Sequence, residues 1–191
     1  MKRSVVLGLL LAALCVAPVG AAMVCTEVAA GAIDSLYVGF RLSDCLTVGG
    51  SFAGGLEYDE GDLDVSENWT AARVSWTLND NLALWAEAGQ AKQVGTKLVD
   101  MLGEQVRKTF LDKSEWGAKV GMTGEWPLND AFRGRVSASV GNVLSYRTTE
   151  YAAGVLYNLS GLPWHLLVQY QFTSNEERTV SGAGAGVVWD F

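Results

Sequence analysis

Gly182-Ala183-Gly184-Ala185-Gly186-Val187-Val188-Trp189-Asp190-Phe191 is the stretch whose reading decides the fold. Side chains of an extended strand alternate between two faces. Ala183, Ala185, Val187, Trp189 and Phe191 therefore share one face, and Gly182, Gly184, Gly186, Val188 and Asp190 the other. A phosphate-binding reading of the Gly-x-Gly-x-Gly spacing requires a following helix, and the alternation here continues instead; the glycines are read as making room for bulky interior residues such as Trp85.

The run before it repeats the pattern, with Trp164, Leu166, Val168, Tyr170 and Phe172 set against His165, Leu167, Gln169, Gln171 and Thr173. Eight such segments follow one another, over 45–58, 67–78, 82–94, 114–128, 132–145, 150–159, 164–174 and 179–191. Asn79-Asp80-Asn81, Asn129-Asp130 and Ser160-Gly161-Leu162-Pro163 read as short turns. The stretches 59–66, 95–113 and 175–178 read as longer or more charged loops. The fold class expected is all-β: an eight-stranded antiparallel up-and-down transmembrane β-barrel over 45–191, preceded by a short N-terminal segment.

Residues 1–22 have the order of a secretory signal: Lys2 and Arg3, an apolar run from Val5 to Val16, and the small residues Gly20-Ala21-Ala22, after which cleavage is expected. The apolar run falls short of the roughly 20 residues a spanning helix needs. Removing Lys2 and Arg3 from the 14 basic residues leaves 12 against 21 acidic ones, a net charge of −9. With no basic run, nucleic acid is excluded as a partner. Cys25 and Cys45 read as a disulfide in an oxidising compartment. Cys25 as a lipidated N-terminus is the weaker reading, because Val24 before it is not small. The segment 23–44 has two patterns. Leu36, Val38, Phe40 and Leu42 alternate as in a strand, while Ala29, Ile33, Leu36, Tyr37 and Phe40 line one face of a helix. A short helix or extended piece at the periplasmic mouth or inside the lumen, tethered by Cys25–Cys45, is favoured.

Alternation does not say which face points inward, since a soluble ligand-binding barrel also alternates. The aromatic residues decide it. Trp76, Trp126, Phe132, Tyr157, Trp164, Trp189 and Phe191 sit near the short turns or the chain end, and Tyr58, Trp116, Tyr146, Tyr151, Tyr170 and Phe172 toward the opposite ends. Two girdles with small and aliphatic residues between them fit two membrane interfaces. Glu57, Arg73, Glu87, Glu115, Lys119, Glu125, Arg133, Arg135, His165 and Asp190 fall on the other face and form a lumen charge network; the apolar face is read as free of charge. Glu125 should meet Arg133 or Arg135 across their shared turn.

These segments resemble the small eight-stranded outer-membrane barrels represented by the OmpA membrane domain and OmpX. The resemblance covers roughly 45–191, and its most specific element is the last strand, where Val187, Trp189 and Phe191 look like the signal read by the barrel-assembly machinery. It implies an integral protein of the bacterial outer membrane, held in lipid, with no cofactor, monomeric, and in contact with the assembly machinery during biogenesis. It does not fix an activity. His165, the sole histidine, follows the short turn at 160–163; the short turns of such barrels are periplasmic, so it lies at the periplasmic end, away from the extracellular rim where barrel enzymes of this size keep theirs. No catalytic residue and no metal site is assigned. The reading that remains is a side-chain-filled barrel with a structural or interaction role through its extracellular loops, in adhesion or envelope integrity. A narrow porin-like channel for small solutes is the alternative.

Overall fold

The computed structural model describes residues 23–31, 34–60, 62–101, 104–159, 164–176 and 179–190, with the backbone alone for 23–31, 34, 55–60, 104, 189 and 190. Among the described residues ten strands follow in chain order: β1 (Met23–Gly31), β2 (Asp34–Ser43), β3 (Leu46–Glu60), β4 (Leu63–Asn79), β5 (Leu82–Met101), β6 (Glu104–Pro127), β7 (Phe132–Val143), β8 (Tyr146–Asn158), β9 (Trp164–Ser174) and β10 (Thr179–Asp190). Each pairs antiparallel with its neighbours in sequence, and β1 pairs with β10, so the sheet closes into a barrel. The expected all-β up-and-down barrel is what forms. No helix among the described residues is long and apolar enough to cross a membrane, which says nothing against crossing by strands.

The expected eight strands become ten. The described residues of 23–44 form two paired strands, β1 and β2, neither a helix nor a tether. A single extra strand would have left the chain ends at opposite ends of the barrel, but a pair restores an even count. The hairpin covers the edges that β3 and β10 would otherwise present, with Leu36 opposite Phe52 on one side and Ala29 opposite Gly186 on the other. The signal segment 1–22 and Phe191 lie outside the described residues, as do the side chains of Cys25, Glu57, Tyr58, Trp189 and Asp190.

The connections β2–β3, β4–β5, β6–β7 and β8–β9 share one end of the barrel with Met23 and Asp190; this is the near end. Asparagines shape two of its turns. The Asn79 side chain accepts from the Asn81 N–H at 2.9 Å, and Asn129 Oδ1 from the N–H groups of Ala131 and Phe132 at 2.9 and 3.0 Å. At the far end two expected loops are largely strand instead, and a third strand starts early. β3 and β4 run on through 59–66, β5 and β6 through most of 95–113, and β8 starts at Tyr146. Asp59 and Asp64 are register partners, a like-charge pairing that disfavours strand. The next hairpin supplies the missing cations: Lys97 Nζ lies 2.7 Å from Asp62 and Arg107 3.3 Å from Asp64.

Lys97 holds the Asp62 carboxyl below its ordinary 3.8, first through the hydrogen bond and then through charge. With the folded value depressed, the pair is intact above pH 3.8 and is lost as pH falls through the lower folded value. A carbon-detected NMR titration should place Asp62 below 3.8 in the parent and back at 3.8 in Lys97→Met; equal midpoints would refute the pair.

Candidate functional site

The lumen is built by the inward set of each strand. On β4 these are Val65, Glu67, Trp69, Ala71 and Arg73, which alternate with exposed residues such as Thr70, Ala72, Val74 and Trp76. On β6 Glu115, Lys119 and Glu125 are more covered than their outward neighbours Trp116, Val120 and Trp126.

Four groups of side chains fill the interior. Arg73 ion-pairs with Glu87, its Nε donating at 2.6 Å, and its guanidinium is stacked between the rings of Tyr37 (4.8 Å) and Trp85 (4.3 Å). Glu87 also accepts from Trp69 Nε1 at 3.1 Å. Trp85 fits because its neighbour on β6 is Gly121: a Cβ there would come within 2.4 Å of the indole. One β-neighbour further round, Lys119 donates to Glu150 at 2.7 Å and lies 5.0 Å from the Trp69 ring, while Ser139 donates to the other Glu150 oxygen at 3.0 Å. Nearer the chain ends, Glu125 makes both contacts considered from the sequence, to Arg133 at 3.3 Å and Arg135 at 3.5 Å. At the far mouth Glu115 accepts from Ser145 Oγ at 2.5 Å and pairs with Lys113 at 2.9 Å. His165 stands opposite Asn158 on β8 and Val188 on β10, at the near end.

Two apolar clusters bracket this polar interior. Leu156, Leu167 and Val188 pack together toward the near end, and Trp69, Ala71, Ala91 and Leu144 toward the far end. Between and around them lie adjoining cavities of about 150 and 80 Å³, both lined by Trp69, Lys119 and Glu150. Such polar chambers hold a few waters each.

The far cluster depends on an unusual turn. Leu144 and Ser145, between β7 and β8, both have positive φ, 53° and 67°. Two left-handed residues in a two-residue hairpin make a type I′ turn, which favours Asn-Gly. For leucine and serine the geometry costs about 1–2 kcal/mol each. Burying Leu144, 3% exposed, returns about 1.5–3 kcal/mol, so tip and interior are close to balance.

Three sequence expectations are corrected. Lys92 faces outward, on the face read as uncharged; it pairs with Asp112 at 3.3 Å and its register partner is Ser114, one step beyond Trp116 on the far side. Tyr146 packs against the buried Trp69–Leu144 cluster and belongs to the lumen, not to a girdle. Cys45 is a free, exposed thiol in the β2–β3 turn. The Cys25 backbone sits opposite Gly39, four residues along β2 from Ser43 and so about 13 Å short of the β2–β3 turn that holds Cys45, beyond the roughly 4–7 Å that a disulfide spans between Cα atoms. Maleimide should therefore label Cys45 in the folded, unreduced protein; labelling only after reduction would restore the disulfide. Glu150, Trp69 and Tyr37 are lumen residues that the sequence reading did not name.

The outer surface is apolar between two aromatic levels. Near the chain ends Trp76, Trp126, Phe132 and Tyr157 are exposed and Trp164 is half-buried, with the Phe132 and Tyr157 rings 5.1 Å apart. Toward the far end stand Trp116, Tyr151 and Tyr170, with Phe172 6.3 Å from Tyr151. Trp116 and Trp126 are both outward on β6, ten residues apart. That is about 33 Å along the strand, or about 25 Å of height at a 40° tilt. Ala118, Val120, Met122 and Gly124 fill the interval on that face.

No family model matches the chain, and no curated protein matches it in sequence. Among solved structures it is similar to the N-terminal β-barrel domain of Pseudomonas aeruginosa OprF, at 16% identity over 88% of this chain and 96% of that one, with a TM-score of 0.35. It is also similar to the β domain of the Bordetella autotransporter BrkA (12%, 88% and 97%, TM-score 0.45) and to LpxR from Salmonella typhimurium (10%, 89% and 100%, TM-score 0.43). None of these likenesses is close enough to bear on residues or activity, and the fold stands on its own strand pairing.

Proposed function

We infer that the chain is an integral barrel of the bacterial outer membrane, with the near end periplasmic, a closed lumen, and a structural or interaction role carried by the sheet it holds outside the cell. The observation that carries the membrane reading is the uncharged interval of about 25 Å between Trp116 and Trp126, the height of the lipid-facing band of such barrels. The closed lumen is supported by the apolar clusters at its two ends and by the paired charges between them. β6 continues for 12 residues beyond Trp116, roughly 40 Å of strand that membrane crossing does not need. With β5 it forms a hairpin bearing exposed Leu98, Met101, Val106 and Phe110 among Lys97, Arg107 and Lys108, a surface suited to contact with another macromolecule.

Refolded protein should float with lipid vesicles, shift its gel mobility on boiling, and give no stable single-channel steps in a planar bilayer. A protein that stays soluble and runs alike boiled and unboiled would sink the membrane reading. The second reading, a narrow solute channel, is favoured by the wider ring of ten strands and by the two polar cavities. Discrete conductance steps would select it.

A further inference from the structure

We propose that the β7–β8 turn is a lid over the extracellular mouth, with Leu144 as its plug and the Ser145–Glu115 hydrogen bond as its latch. The proposal rests on the membrane-barrel reading for its orientation. The turn is held by its interior contacts and not by its own preference: two left-handed non-glycine residues disfavour it, while the buried Leu144 side chain and the 2.5 Å bond to Glu115 keep it in place. With its local and tertiary preferences opposed and of similar size, the turn is the bistable element of this proposal. Glu115 is also paired with Lys113, whose ammonium lies 5.9 Å from the Tyr146 ring, so the latch joins the protruding β6 to the first residue of β8.

Beneath Leu144 is the cavity of about 80 Å³, walled by Trp69, Ala91, Tyr146 and Thr148 and floored by Lys119 and Glu150. An outward swing of the turn exposes this chamber to the cell exterior. The Leu156–Leu167–Val188 cluster, toward the near end, takes no part in the swing. The barrel then admits water and small solutes from outside to a dead end, without conducting.

The test places a reporter in the chamber, Ala91→Cys, in a chain carrying Cys25→Ser and Cys45→Ser, and measures modification by a small cationic methanethiosulfonate in vesicles. With the lid intact the reaction is slow. Ser145→Ala, which removes the latch, should speed it several-fold. Leu144→Asn with Ser145→Gly, which suits the turn but removes the plug, should speed it at least tenfold. Equal rates in the three chains would overturn the lid, and conductance steps in either variant would overturn the closed floor. Boiled and unboiled gel mobility accompanies each chain: a variant that has lost its shift is replaced by the milder Leu144→Ala, whose unchanged rate also overturns the lid. Loss of the shift in the parent itself would instead refute the membrane barrel.

Discussion

Met122→Arg is expected to lower stability in lipid by about 2–4 kcal/mol, the cost of a cation at the middle of a barrel's lipid face. Met122 points outward from β6, half exposed, four residues from Trp126 and six from Trp116, and so sits close to the midplane of the proposed band. The urea midpoint in vesicles should fall by about 1–2 M if the slope is about 2 kcal/mol per M. Lys92 provides the comparison. It already points outward, but beyond Trp116, so Lys92→Met should move the midpoint little. If Met122→Arg unfolds at the parent's urea concentration, that face does not meet hydrocarbon.

The second large effect is expected at Lys119→Met. Lys119 is buried, and its removal leaves Glu150 with Ser139 as its remaining partner among the bonds described above. Breaking a buried pair on one side costs about 3–5 kcal/mol. Glu150 borders the central cavity and is 31% exposed to it, so water there moderates the loss to about 3 kcal/mol. Glu150→Leu added to Lys119→Met should recover most of the loss, because the stranded charge is then gone. Urea unfolding of the two single variants and the double measures this coupling. A double variant no more stable than Lys119→Met would show that packing against Trp69, and not the charge pair, is what the lysine contributes.

Much of the barrel was legible because period-two alternation is a local property. The boundaries of β7 and β9 are within two residues of the spans read from sequence, and the asparagine turns between strands formed where their side chains bond the backbone. What was lost has physical causes. The turn at Leu144-Ser145 carries neither the glycine nor the asparagine that its left-handed geometry favours, since that geometry is set by burial; alternation read from sequence therefore places the start of β8 four residues late. The acid-rich 59–66 reads as loop on propensity, and its strand depends on cations more than thirty residues away. Other misses were avoidable. Trp69 shares the face of Arg73 four residues on, and Glu150 lies on the face opposite Tyr151, so alternation alone assigns both to the lumen. Lys92 breaks the same parity when its face is read as uncharged, whereas Tyr146, between the spans 132–145 and 150–159, takes opposite faces from the two strands' alternation. Tyr37 could not be placed while 23–44 remained ambiguous between helix and strand.

The pairing of β1 with β10 also orders events in time. Every other pairing in the ring joins neighbours in sequence, whereas Ala30 must meet Ala185 across the whole chain. Each doubling of a loop costs about 0.6 kcal/mol, so this contact costs about 2–3 kcal/mol more in chain entropy than a ten-residue hairpin. Local pairings form sooner than distant ones. The strand made first is thus among the last to find its second partner, and until then the chain is a curled sheet with two raw edges, open to pairing with whatever strand it meets.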